Sequence, residues 1–169
     1  RIRGHVAALA ASRLQIETPD DSGAFLDNIA DRVDAIGLNE FTQAVPGIEV
    51  CGIDISAYSI ENAKPEIRPF LQAANCTSLP FSDGSFDYVY SLTTFHNLRI
   101  FDLKDALREM ERVGRNRKYL CVESFRNERE KTNLLYWQLT CRSFYTPKEW
   151  EWVFDQCGYT GDYSYIVFE

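Results

Sequence analysis

From residue 46 onward, apolar and polar positions fall into alternating strand-like and helix-like patterns. Ile48-Glu49-Val50-Cys51-Gly52-Ile53-Asp54 follows a Pro46-Gly47 turn and is rich in β-branched residues, which predicts a strand ending in an acid. Ser56 can cap a short helix behind it, with Ile60 and Ala63 spaced for burial and Pro65 to stop it. Phe70–Ala73 and Phe86–Leu92 predict two more strands, the second dense in aromatic and β-branched residues. Between them lies a Pro80–Gly84 loop with an Asp83-Gly84 turn. The period then changes. Leu103, Ala106, Leu107 and Met110 recur at helical spacing behind a capping Asp102, and Gly114 marks the end of that amphipathic helix. Lys118–Glu123 predicts a strand, and residues 128–140 predict a helix.

Thr146-Pro147-Lys148-Glu149 carries a full set of helix-start signals. Thr146 and Glu149 form a capping box, Pro147 takes the first helical position, and Tyr145 can staple onto Trp150. This helix buries Trp150, Val153, Phe154 and Cys157 and stops at Gly158, before a last strand over Asp162–Phe168. Strands alternating with helices predict an α/β layered fold with a mostly parallel sheet. The front of the chain is less regular. Residues 1–31 are read as a segment of open structure, either an ordinary helix over Val6–Leu14 or an Arg- and Ala-rich transit peptide, followed by an Asp20–Gly23 turn. Residues 32–169 are read as the domain proper.

Composition narrows the function classes. The chain has 169 residues, 45% hydrophobic and 14% aromatic, enough apolar material for one packed domain. Its formal charge of −7 argues against a nucleic-acid partner, because phosphate binding needs a basic surface. Arg112, Arg115, Arg117 and Lys118 are therefore read as a solvated helix end. Cys51, Cys76, Cys121, Cys141 and Cys157 stand singly, with no Cys-x-x-Cys. This pattern is expected of reduced thiols in a cytoplasmic protein rather than of a disulfide framework or a zinc site, and no metal is expected. No apolar run has the length of a membrane helix, so no membrane partner is expected.

Three segments carry candidate chemistry. Asp54, with Ile55 beside it, ends the first clear strand, where an acid in a doubly wound fold accepts hydrogen bonds from ribose hydroxyls. It could equally cap the next helix. The second segment is Ala74-Asn75-Cys76-Thr77-Ser78-Leu79-Pro80-Phe81, followed by Ser85-Phe86-Asp87. The third is Ser91-Leu92-Thr93-Thr94-Phe95-His96-Asn97-Leu98. In it His96 is either a candidate general base, because an ordinary imidazole titrates near neutral pH, or a structurally packed residue.

These segments, at this spacing, resemble class I S-adenosylmethionine-dependent methyltransferases across roughly residues 41–169. The resemblance implies a Rossmann-like, doubly wound, mostly parallel sheet flanked by helices, with S-adenosylmethionine as cofactor. It implies that the Asn75 side chain meets the adenine amino group, that the Cys76 backbone N–H meets a ring nitrogen, and that Ser91 faces the methionine end. Asn75 stands where the family usually has Asp, and its amide oxygen can still accept a hydrogen bond.

The pattern breaks at the front. The family opens with a strand ending in an acid and a glycine-rich turn that lets the backbone approach the cofactor. Here Arg32–Gly37 is the expected tail of an incomplete first strand, with Asp34 as the acid and Gly37 as the surviving glycine. The expected function is in-line methyl transfer to a small-molecule acceptor. Phe125, Tyr136, Trp137, Phe144, Tyr145 and Trp152 are candidates for the acceptor pocket, most of them equally core residues, with Trp152 off the buried stripe of its helix. The alternative is an inactive methyltransferase-like binding or scaffold domain, or a broken fragment of an active enzyme. A nicotinamide-dependent oxidoreductase is disfavoured because no Gly-x-Gly-x-x-Gly occurs.

Overall fold

The computed structural model describes residues 38, 47–137 and 141–169, and the backbone of residues 5–9. Six strands form one sheet in the order β3-β2-β1-β4-β5-β6. They are β1 (His5–Leu9), β2 (Glu49–Asp54), β3 (Leu71–Ala73), β4 (Phe86–Leu92), β5 (Gly114–Glu123) and β6 (Asp162–Ile166). Every ladder between them is parallel, and this strand order is that of doubly wound dinucleotide-binding folds.

The front of the chain corrects the sequence reading. Val6–Leu9, expected at the start of a helix, belongs to β1, which pairs with both β2 and β4 at the centre of the sheet. The slot between β2 and β4 is thus filled by His5–Leu9, and not by the strand tail expected at Arg32–Gly37, which lies outside the described residues. The physical reason is pairing. A central strand gains hydrogen bonds on both edges, and this outweighs the helix preference of an Ala-rich local sequence. Leu38 is helical and fully buried, packed with Ala63, Ile67 and Tyr90 against the sheet.

The remaining elements follow the local signals closely. Helix α1 (Ala57–Glu61) is capped by Ser56, whose hydroxyl accepts the Ser59 N–H at 3.2 Å. Helix α2 (Ile100–Val113) buries Leu103, Ala106, Leu107, Met110 and Val113 along one stripe. It begins at Ile100 with Arg99 at the cap position, so Asp102 lies within the first turn rather than capping it. There its charge still favours the helix N-terminus. Helix α3 (Glu128–Trp137) follows β5.

Helix α4 (Pro147–Cys157) has the expected capping box. The Thr146 N–H donates to Glu149 Oε2 at 2.7 Å, and the Glu149 N–H donates to Thr146 Oγ1 at 3.4 Å. Tyr145 packs edge-on against Trp150 at 5.2 Å, and Gly158 stops the helix at φ 70°. The main core joins Val89, Phe95, Leu120 and Val122 of the sheet region to α2 and to Trp150, Val153 and Phe154 of α4.

The basic cluster is not a simple solvated helix end. Arg112 lies in a web of acceptors described below, Arg115 pairs with Asp87 at 2.7 Å, and Lys118 is buried and pairs with Glu111 at 2.9 Å.

Candidate functional site

Parallel pairing brings the carboxyl ends of the strands to one edge. Asp54 of β2 is level with Ala73 of β3, Leu92 of β4 with Cys121 of β5, and Glu123 of β5 with Ile166 of β6. The chain leaves β3 at one edge and re-enters on the far side of β1 as β4. Ligands of doubly wound sheets bind in the crevice outside the strand ends at such a switch point.

Three of the sequence-predicted residues end or follow strands at that edge. Asp54 is almost fully buried, and its Oδ1 accepts the Ser56 N–H at 2.7 Å. Ser56, and not Asp54, caps α1; Asp54 organises the turn into that helix and stands at the crevice edge. Asn75 is exposed, and its Oδ1 accepts the Thr77 N–H at 3.0 Å, while its carbonyl accepts the Ser78 N–H. Ser91 is buried one residue before the end of β4. The Cys76 side chain packs into the main core, which leaves only its backbone to face a ligand. Ile55 is half exposed beside Asp54. Asp34 and Gly37 lie outside the described residues.

The segment between Asn75 and β4 is clipped to α2 by Glu109, which the sequence reading did not single out, and by Arg112, which it took as part of a solvated helix end. Glu109 accepts the Leu79 N–H at 2.6 Å. Arg112 donates to the carbonyls of Leu79 and Phe81 at 3.1 and 2.7 Å and to Asp83 at 2.8 Å. It also donates twice to Glu109 at 2.7 Å, and this hydrogen bonding holds the Glu109 carboxyl below its ordinary value.

His96 is completely buried, and both of its ring nitrogens are turned to Glu123 of β5, which favours the structural reading over a general base. Burial pushes its imidazole down to about 4, leaving it neutral at pH 7. The thiols match the expectation of free cysteines, and burial pushes that of Cys141 up to about 12. Among the described residues, no group of three or more His, Cys, Asp or Glu side chains is placed to hold a metal ion, and no helix is long and apolar enough to cross a membrane.

The expected acceptor aromatics divide. Phe125 is buried, and Tyr145 is half-buried against Trp150. Tyr136 and Trp137 at the end of α3 are largely exposed, as is Trp152 on α4. Trp137 packs against Phe168 at 5.5 Å, and Asn133 donates to the Phe168 carbonyl at 3.2 Å. Phe168 follows the end of β6, so these contacts place the exposed end of α3 at the carboxyl edge of the sheet.

Comparison with known proteins gives these residues a context. The methyltransferase domain family matches residues 34–122, just over half of the chain. The ubiquinone/menaquinone biosynthesis C-methyltransferase UbiE of Geotalea uraniireducens is 32% identical over 101 residues, covering 55% of this chain and 41% of that protein. The UbiE of Citrifermentans bemidjiense is 31% identical over 102 residues, covering 56% and 42%. The match thus spans about two fifths of the length of these curated relatives. In structure, the YcgJ protein of Bacillus subtilis superposes with a TM-score of 0.62 at 19% identity, over 93% of this chain and 62% of that one. An S-adenosylmethionine-dependent methyltransferase of Thermotoga maritima superposes with a TM-score of 0.54 at 20% identity, over 92% and 63%. These two superpositions bear out the Rossmann-like fold. The family match begins at Asp34, well downstream of β1 at His5–Leu9.

Proposed function

The chain belongs to the methyltransferase domain family, and from that premise we propose that it transfers the methyl group of S-adenosylmethionine to a small apolar acceptor. The observation that carries this reading is the donor set at the switch point. Asp54, Asn75 and Ser91 come from the ends of different strands and stand along one edge. A carboxylate there suits the paired hydroxyl donors of a ribose, and an exposed amide beside a turn suits the amino edge of adenine. The described residues fit the adenosine half of the cofactor. We assign Asp54 and Ile55 to the ribose side, Asn75 and the Cys76 backbone to the adenine, and Ser91 toward the methionine end. Asp34 and Gly37 are assigned to that end on the family match alone.

When bound, the cofactor supplies a sulfonium-activated methyl that leaves by in-line displacement. The protein's contribution is positioning, which is worth on the order of 7–11 kcal/mol when geometry is well fixed. Leu135, Tyr136 and Trp137, exposed at the carboxyl edge, offer an apolar surface for the acceptor. The names of the two relatives make a quinone precursor the acceptor class to try first. Methyl transfer to a carbon of such a ring breaks that carbon's C–H bond and releases its proton to water, and it requires that the ring be electron-rich, so the reduced hydroquinone is the form to offer.

The test is calorimetric titration of the full chain with S-adenosylhomocysteine, beside an Asp54→Ala variant. Labelled methyl transfer to a demethylated hydroquinone follows. Removal of a charged hydrogen-bond partner is expected to weaken binding by about ten- to a hundredfold. A folded chain that takes up no ligand would favour instead a scaffold that retains the methyltransferase body. One sequence feature motivates keeping that outcome in view: after β1 no glycine occurs until Gly23, where the family pattern calls for several.

A further inference from the structure

The turn that follows β4 is organised around one imidazole. His96 lies in the single helical turn Phe95–Asn97 and has no exposed surface. Its ring nitrogens both face Glu123, at the end of β5. Nδ1 accepts the Glu123 N–H at 3.2 Å, and Nε2 stands 3.3 Å from Glu123 Oε2. Because Nδ1 accepts, the proton of the neutral ring belongs on Nε2, toward the carboxylate. That second contact is close but lacks the alignment of a hydrogen bond.

The backbone of the same residue makes a second attachment. The His96 carbonyl accepts the N–H groups of Arg142 and Ser143, both at 2.9 Å. Ser143 Oγ in turn donates to the Leu98 carbonyl at 2.7 Å. On the other side, the Trp150 indole N–H donates to the Glu123 carbonyl at 3.1 Å, and the Thr93 N–H donates to the Cys121 carbonyl at 2.9 Å. The ends of β4 and β5, the 141–143 segment and α4 therefore meet at His96 and Glu123. Within this frame Thr93 is held at φ 53°, a left-handed conformation that β-branched residues avoid and that persists only where its surroundings impose it. The proposed methyl displacement gives no role to His96 or Glu123, whose ring and backbone contacts run to each other and to the 141–143 segment.

We propose that His96 is a positioning residue: by binding the Glu123 N–H through its ring and the Arg142–Ser143 backbone through its carbonyl, it holds the strained Ser91–Asn97 wall in the shape the cofactor crevice requires. This rests on the cofactor reading above. Other side chains of similar size could fill the volume, but only one with an acceptor at the Nδ1 position can take the Glu123 N–H. That distinction separates a positioning role from simple packing.

The test compares the full chain with His96→Asn and His96→Leu. The Asn Oδ1 can accept the Glu123 N–H, whereas Leu leaves it unmet. Two readouts are taken at neutral pH: the dissociation constant of S-adenosylhomocysteine, and amide hydrogen exchange at residues 93–97 without ligand. His96→Leu is expected to weaken binding by about tenfold, the cost of one unmet buried partner, and to speed exchange at residues 93–97 relative to β2 and β3. His96→Asn is expected to keep affinity within about threefold of the parent, since the acceptor is restored. The proposal is overturned if His96→Leu binds as the parent does, if Asn gives no recovery over Leu, or if exchange rises uniformly across the sheet. Should the parent itself bind no S-adenosylhomocysteine, the cofactor reading fails on its own, and the exchange comparison still decides whether His96 holds the wall.

Discussion

Replacing Arg112 by Ala removes the clip between α2 and the loop that carries the Leu79-Pro80-Phe81 segment. The guanidinium donates to two backbone carbonyls, to Asp83 and to Glu109. The Asp83 carboxylate is 83% exposed, so that pair contributes only about 0–1 kcal/mol. The two carbonyls and Glu109 carry the rest, at about 1.5–3 kcal/mol for each charge-assisted bond in a dry setting. The Arg112 side chain is 30% exposed, and water can replace part of what is lost. After that discount a net cost of about 2–3 kcal/mol remains. For a domain of this size each kcal/mol lowers the melting temperature by roughly 2–4 °C, so Arg112→Ala should melt about 5–10 °C below the parent. Differential scanning calorimetry reads this directly, and urea unfolding with an unchanged slope checks that the native state is otherwise intact. Arg112→Lys should recover less than half of the loss, because one ammonium cannot span acceptors arranged for a planar fork. An Ala variant melting within about 1 °C of the parent would refute the argument. So would a Lys variant as stable as Arg, since the contribution would then be charge alone.

Acid should destabilise the fold partly through His96. Its native value is about 4 against 6.5 for the unfolded chain, so below pH 6.5 the unfolded chain takes up a proton that the native ring does not. Stability is full above that point and falls as pH drops toward 4, by up to about 3 kcal/mol. Urea midpoints measured across this window should fall less steeply for His96→Asn, and parallel slopes would count against the assignment. A Cβ added at Gly161 would collide with the Tyr159 hydroxyl and stand 2.6 Å from Lys118 Cβ, so Gly161→Ala should cost about 1–3 kcal/mol in a thermal melt. An unchanged melting temperature would mean the start of β6 yields more easily than its packing implies. Thr93→Gly relieves a left-handed residue at a cost of about 1–2 kcal/mol to the parent, offset by the greater freedom of glycine when unfolded. It should melt at or slightly above the parent yet bind S-adenosylhomocysteine more weakly. Loss of both stability and affinity would show that the threonine side chain, not the backbone turn, is what matters.

Much of the fold was legible because the strands from β2 onward are bounded by local punctuation. Pro46-Gly47, Asp83-Gly84 and Gly158 mark turns, and the Thr146 capping box fixes where α4 begins. The positions of the candidate donors were legible for the same reason: Asp54 ends one well-marked strand, Ser91 lies one residue before the end of another, and Asn75 sits in a recognisable block. What failed was whatever depends on partners far along the chain. His5–Leu9 reads locally as helix and becomes a strand only because β2 and β4 flank it. Arg112 reads as a helix-end cation, because its acceptors lie about thirty residues upstream. His96 and Glu123 meet only through the register of β4 against β5, which no spacing in the sequence displays.

The braces around the candidate site share an origin that bears on the missing glycines. The segment bearing Asn75 is held by Glu109 and Arg112 of α2, and the Ser91 wall by His96, Glu123 and Trp150 of α4. Asp54 and Asn75 are also organised by their own turns, and these longer-range braces come from residues beyond 90. Among the described residues, these braces on the candidate adenosine-side donors do not pass through the segment after Leu9. A glycine-poor sequence in that segment would lower affinity at the methionine end while leaving the adenosine end formed. Adenosine alone should then bind nearly as well as S-adenosylhomocysteine, whereas a complete site would favour the larger ligand. The ratio of the two dissociation constants thus measures, in one number, how much of the cofactor site this chain retains.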